Sequence, residues 1–450
     1  MTNHPKFRKI LLVLALPICS ALLLLAAASS WLGIKGEEHM ARTVAELNGQ
    51  AGIELSLLEY RRGWFSSRAL TELRLALPAA GPLIISHRIW HGPLPLAGRP
   101  HGSGDRFKPL LAAIDSRLVA PSSLPNPGQL AAAPAPVNVF HANTTITLGG
   151  RAETFFRLAP GYQDWQAGAR QLSVSWRQLE GHLLFPANLH SMRGELRSPG
   201  LALRSADQGP EPPSLLEIKG ISLLFNYRRE DDGAGGGTLA GSQQMVLSRI
   251  HTGGSEHGPL KLEIAWRNLD QRAGGELLGV APWWPQLLGG GGGREIPPAV
   301  AQTLVEALPR LLGKSPVLEI AELRLDTSHG TAEGRLRLAY QGRDEARLFH
   351  PIMLISGLRL EAEAKAPETL PENMFADYQQ WPQPEPGANP GPDLTDRGRD
   401  PLAALRRRGY LPPPDGSDLV SFSLRYQEGE LEINDRPAPI QALFYLLRRS

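Results

Sequence analysis

Apolar and polar residues alternate with a period of two along much of this chain. Ile53, Leu55 and Leu57 are separated by Glu54 and Ser56, and Leu73, Leu75 and Leu77 by Arg74 and Ala76. The same rhythm returns at 172–176, 262–266, 323–325, 334–338, 358–360 and 422–426. A strand turns successive side chains to opposite faces, so each stretch predicts a strand with one apolar and one polar face. Antiparallel sheets commonly carry that asymmetry. The predicted fold class is therefore mainly β (α+β), a large and mostly antiparallel β-sheet body with a few short helices.

Helical spacing is rarer. Val300, Leu304, Leu308 and Leu311 fall on one helical stripe within 298–312, between Pro298 and Gly313, which is the usual punctuation of a helix. Pro309 inside that stripe predicts a kink or a split. Residues 37–48 read as a short polar helix. Ile440, Leu443, Phe444 and Leu447 give a second narrow stripe, with Arg448 and Arg449 favourably placed at its end.

Between Ile10 and Ile34 there is no charged side chain. A run of about 20 apolar residues suffices to cross a bilayer. Lys6, Arg8 and Lys9 precede this run, while Lys35, Glu37 and Glu38 follow it. The basic amino-terminal flank predicts a cytoplasmic tail, with everything after residue 34 on the far side. A cleaved signal with its small-residue site at Ala26 and Ala28 is the competing reading. Against it, apolar character continues through Trp31, Leu32 and Ile34.

These segments suggest a cytoplasmic tail at 1–9, a transmembrane anchor at 10–34 and a β-rich module at 35–120. A central β-rich region at 121–288 and a helix-plus-sheet module at 294–380 follow. A Pro/Gly-rich linker at 381–400 precedes terminal strands and an amphipathic helix at 401–450. The boundaries follow Pro-, Gly- and Ser-rich stretches, among them the uninterrupted run Gly289 to Gly293.

Composition narrows the function classes. The chain has 450 residues and a net charge of +2, and no clustered basic face of the kind nucleic-acid binding requires. Its single cysteine, Cys19, lies inside the apolar run, so no intrachain disulfide and no cysteine metal site can form.

No catalytic set emerges. Ser66 and Ser67 follow Gly63-Trp64-Phe65, with His87 and His91 downstream. A hydrolase elbow needs G-x-S-x-G between a strand and a helix, whereas these serines lead into an alternating strand, as at a hairpin turn. His87 and His91 are four apart but lack the glutamate of H-E-x-x-H; a hydrogen-bonded His91 shaping the Gly92-Pro93 turn fits better. Gly313-Lys314-Ser315 resembles the end of a phosphate loop, but Leu308 stands where its first glycine belongs. Trp283 and Trp284, between Pro282 and Pro285, together with Trp64 and Phe65, are the candidates for contact with a partner or a membrane interface. Core packing is the alternative for each.

Three stretches resemble the YdgA family of bacterial inner-membrane proteins. They are Tyr60-Arg61-Arg62-Gly63-Trp64-Phe65-Ser66-Ser67, His91-Gly92-Pro93-Leu94-Pro95-Leu96, and the closing Leu424-Arg425-Tyr426, Gly429-Glu430-Leu431 and Ile433-Asn434-Asp435. The resemblance implies a Gram-negative inner-membrane anchor and a periplasmic body, and it brings no catalytic residues. The expected role is a non-catalytic scaffold or binding module, needing no cofactor. Its expected partners are other envelope proteins or a second copy of the chain. The alternative is a carrier of lipid or another apolar ligand in an open sheet groove, because a sheet that is apolar on one face must cover it with something.

Overall fold

The structure, a computed structural model, describes residues 33–38, 40–42, 44–45, 53–75, 82–92, 110–119, 136–167, 170–187, 190–205, 214–231, 237–252, 255–280, 283, 297–341, 356–368, 370, 406, 409–411 and 419–439. They group into two compact units. One runs to Ala159 and includes Glu180–Leu189; the other comprises Pro160–Leu179 and everything from His190 onward. The mainly β expectation holds for both.

In the first unit, six strands form an antiparallel meander. They are β1 (Ile53–Arg62), β2 (Ser66–Leu75), β3 (Leu83–His91), β4 (Leu110–Val119), β5 (Pro136–Thr147) and β6 (Ala152–Leu158). β9 (Leu179–Phe185) pairs with β6. Ala69, Ile84, Ile89, Ala113 and Val119 are buried. Residues 33–38, 40–42 and 44–45 are helical, within and just ahead of the segment read as a short polar helix.

The second unit continues the same construction. β7 (Gly161–Ala167) pairs with β8 (Arg170–Trp176), and β8 with β10 (Ser191–Ser205). From β10 onward each strand pairs with the next: β11 (Ser214–Asp231), β12 (Gly237–Thr252), β13 (Ser255–Asp270), β14 (Val317–Thr327), β15 (Gly330–Tyr340), β16 (Leu358–Pro367), β17 (Leu419–Gln427), β18 (Glu430–Ile433) and β19 (Arg436–Ala438). All of these pairings are antiparallel. The expected strands at 262–266, 323–325, 334–338, 358–360 and 422–426 lie within β13 to β17.

Two helices interrupt the ladder between β13 and β14. They are α1 (Gln271–Gly279) and α2 (Pro298–Gly313). They pack on each other through Ala273, Leu277 and Ala307, with Leu304 and Leu311 alongside. α2 keeps the predicted start and stop, but Pro309 does not split it. Proline removes only the bond to the carbonyl of Val305, and Val305 is exposed, while Arg310 Nε donates to the Glu306 carbonyl at 3.0 Å and ties the last turn down.

The proposed anchor at 10–34 lies outside the described residues apart from Gly33 and Ile34, as does the terminal helix expected at 440–447. Among the described residues, no helix is long and apolar enough to cross a membrane.

Candidate functional site

The register of the larger sheet lines up its apolar positions across strands. Leu196, Leu223, Met245, Leu262 and Leu323 stand opposite one another on β10 to β14. Farther along, Trp266, Leu318, Leu338, Leu360, Tyr426 and Leu431 do the same on β13 to β18. A one-residue slip would turn each set to the other face, so this apolar alignment itself fixes the register. The opposite face carries Glu319, Arg337, Glu361, Arg425 and Glu432 in line on β14 to β18, an alternation of sign that stabilises neighbouring strands.

The apolar face is not evenly covered. At β17 and β18, Leu424, Tyr426, Leu431 and Ile433 are buried, with Tyr410 packed against them. Toward the middle, Leu196, Leu223, Met245 and Leu262 are only half-buried, and Leu318 and Leu323 are each 39% exposed. Strands lie about 4.8 Å apart, so β10 to β14 span roughly 19 Å. One leaflet of a bilayer has a hydrocarbon depth of roughly 15 Å. This partly covered apolar strip is thus of the same order as the length of a lipid acyl chain.

A cavity of about 740 Å³ spans β13 to β17 of the same unit, with Leu323 and Phe422 among its lining. Glu263, Glu322, Glu333 and Glu363 line it beside Arg324, Arg335 and Lys365. Arg335 pairs with Glu363 at 3.0 Å and Arg324 with Glu333 at 3.4 Å. Charges of both signs neutralise one another here, as on a solvated surface. Among the described residues, no group of three or more His, Cys, Asp or Glu side chains is arranged to hold a metal ion.

The first unit contains a polar seam that the sequence did not reveal. Ser67 Oγ lies 2.7 Å from His91 Nε2, while His87 holds Thr71 at Nε2 and Ser116 at Nδ1, each at 2.8 Å. Pairing of β2, β3 and β4 turns these residues to one face, beneath the helical residues that begin at Gly33. Burial lowers the pKa of His87 to about 4 and also depresses that of His91. Ser67 and His91 have the spacing of a nucleophile and its base. Yet Ser67 is 1% exposed, and a Cβ at Gly33 would already touch the imidazole at 3.4 Å. The arrangement satisfies buried polar groups and leaves no room for a substrate carbonyl. Ser66 opens β2 directly after the turn, as the alternation predicted. His91 is hydrogen-bonded as expected, with Ser67 as its partner, while Pro93 of the turn it was expected to shape lies outside the described residues.

Of the four contact candidates, Trp64 and Phe65 sit on the β1–β2 turn and are 73% and 59% exposed. Trp283 is half-buried, its N–H donating to the Val280 carbonyl at 2.9 Å. Trp284 lies outside the described residues. Lys314 and Ser315 form the link from α2 into β14, their N–H groups donating to the Leu311 and Leu312 carbonyls, so those donors are not free to hold a phosphate.

Comparison with known proteins gives a family and nothing finer. No curated protein matches the chain, and no solved structure does. One family model matches residues 7–263 and again residues 231–441, which together account for nearly the whole sequence. The chain belongs to DUF945, a bacterial protein family of unknown function.

Proposed function

We propose that this protein is a non-catalytic periplasmic binding module, tethered to the inner membrane through residues 10–34, which holds a lipid acyl chain against the apolar face of its larger sheet. The observation that carries this reading is the row Leu196, Leu223, Met245, Leu262 and Leu323, continuous over five strands yet only half-covered. A closed sandwich would bury such a row, and a soluble partnerless sheet would not display it. The tether rests on the uncharged run Ile10 to Ile34 and its basic amino-terminal flank. The YdgA-like stretches around Tyr60, His91 and Leu424 support the same bacterial inner-membrane setting.

A second reading keeps the tether and makes the body a scaffold for envelope proteins or for a second copy of itself. It draws on Trp64 and Phe65, exposed on the β1–β2 turn, where a protein partner would cover them. Lipid extraction and mass spectrometry of the full-length protein, purified in detergent, separate the two. Phospholipid retained in proportion to protein, and lost on substituting the apolar row, is the expected result. Protein that emerges lipid-free under gentle extraction would remove the carrier reading and leave the scaffold. Protease added to spheroplasts tests the orientation, since a protected carboxyl terminus would contradict it.

A further inference from the structure

The end of the uncharged run is held beside one hairpin turn. Gly33 is buried, and a Cβ there would lie 3.4 Å from the His91 ring and 3.6 Å from Cγ of Arg62. The Tyr60 hydroxyl reaches the Gly33 carbonyl at 3.5 Å. The His91 N–H donates to the Phe65 carbonyl at 2.9 Å. Residue 33 is therefore one side chain away from the turn that exposes Trp64 and Phe65. Antiparallel order brings the β5–β6 turn to the same end of this sheet, and there Leu148 is 55% exposed. Indole and phenyl rings are favoured at the junction of headgroups and hydrocarbon.

A charge pattern on the same end points the same way. Arg61, Arg68 and Arg88 stand directly opposite one another on β1, β2 and β3, all exposed. Like charges in register repel unless counter-charge is supplied. Glu59 pairs with Arg61. Asp115, opposite Arg88, is already bonded to Arg117 at 2.8 Å and to His141 at 2.7 Å. Arg61 is three residues from Trp64 and Arg68 three from Phe65, roughly 10 Å along the strand. The headgroup layer is about 5–8 Å thick on each side of the bilayer, and a long arginine side chain at this distance can reach back to it.

We infer that this end of the first unit is a membrane foot: Trp64, Phe65 and Leu148 enter the interfacial layer of the bilayer, and the arginine row meets anionic phospholipid headgroups. The inference rests on the tether proposed above, because Gly33 brings the turn to the membrane only if the preceding run spans it.

The test uses the full-length chain with Cys19→Ser and one new cysteine, Trp64→Cys, Leu148→Cys or Leu83→Cys. Each variant carries an environment-sensitive fluorophore and is reconstituted in phosphatidylcholine vesicles with or without phosphatidylglycerol. Leu83 opens β3 at the opposite end of the sheet and serves as the control. Protein that floats with the vesicles and shows about a twofold loss of emission to headgroup-level spin-labelled lipid at 64 and 148, but none at 83, supports the foot. Phosphatidylglycerol should deepen that loss. Flotation with all three probes in water overturns the foot and leaves the tether standing. Failure to float, with no detergent present, overturns the tether and the foot with it. Quenching at 64 that requires added envelope proteins assigns the turn to a protein partner and also overturns the foot.

Discussion

His87 carries a hydroxyl at each ring nitrogen, Thr71 at Nε2 and Ser116 at Nδ1. A neutral imidazole has one donor and one acceptor, so one hydroxyl gives a proton to the ring and the other receives one. Protonation would make both nitrogens donors, which two hydroxyls can accept; the cost of charging the ring is therefore its burial rather than a lost bond. That burial sets the His87 pKa at about 4 against an ordinary 6.5. The folded state then binds fewer protons than the unfolded chain wherever the pH lies between those values. Stability is full above pH 6.5 and falls as the pH drops toward 4, by up to about 3 kcal/mol if no other group compensates. His91, shifted the same way, adds to the slope. Urea denaturation followed across this pH range should show the fall for the native chain. His87→Gln keeps hydrogen-bonding groups and cannot titrate, so it should flatten much of the dependence. An unchanged slope would show that acid acts elsewhere.

At the scale of strands, aromatic rings lie across the neighbouring strand onto a glycine, Trp176 over Gly161 among them. Phe225 faces Gly194, and Trp266 faces Gly241. A Cβ on Gly241 would fall 2.6 Å from Cζ2 of Trp266 and 2.7 Å from the Asn226 carbonyl oxygen. A ring covering a cross-strand glycine recovers the packing that glycine cannot supply and helps pin the register. Gly241→Ala must displace either the indole or backbone, so it should destabilise the second unit by about 1–3 kcal/mol in chemical denaturation. Gly275→Ala on α1, where a Cβ meets nothing within 4 Å, should be neutral or stabilising. Such glycines also show why part of the sheet was legible in the sequence and part was not. β13 to β17 alternate cleanly because one face is apolar and the other solvated, and 298–312 has a helical stripe between proline and glycine. β11 changes phase at Gly220, which has φ of +62°, and β12 places Gly241 and Gln243 among apolar neighbours, so neither shows the pattern. The seam of Ser67, Thr71, His87, His91 and Ser116 was hidden for another reason. Its members come together only through the pairing of β2, β3 and β4, and in sequence each reads as an ordinary polar residue. The exposed turn at Trp64 and Phe65 was legible as a candidate because bulky aromatics beside glycine stand out from alternation.

For the molecule as a whole, the question is whether the apolar face of the larger sheet is core or binding surface. The two alternatives predict opposite responses to the same kind of substitution. Leu318 and Leu323 retain 39% of their exposure, so a charged side chain at either can reach water with little rearrangement. Ile433, by contrast, is fully buried beside Leu424, Tyr426 and Leu431. Truncating Ile433 to Ala should cost about 2–5 kcal/mol, through lost burial and the cavity left behind. Leu318→Glu combined with Leu323→Glu should cost much less, on the order of 1 kcal/mol, since both positions are already partly solvated. If the face holds a ligand, that double variant should nevertheless lose its copurifying lipid, and with it the fluorescence of an apolar probe such as an anilinonaphthalene dye. Retained stability with lost binding would identify a surface whose apolar character serves a ligand. A collapse of stability matching that of Ile433→Ala would instead make these leucines part of the core, and the acyl chain would have no place on this sheet.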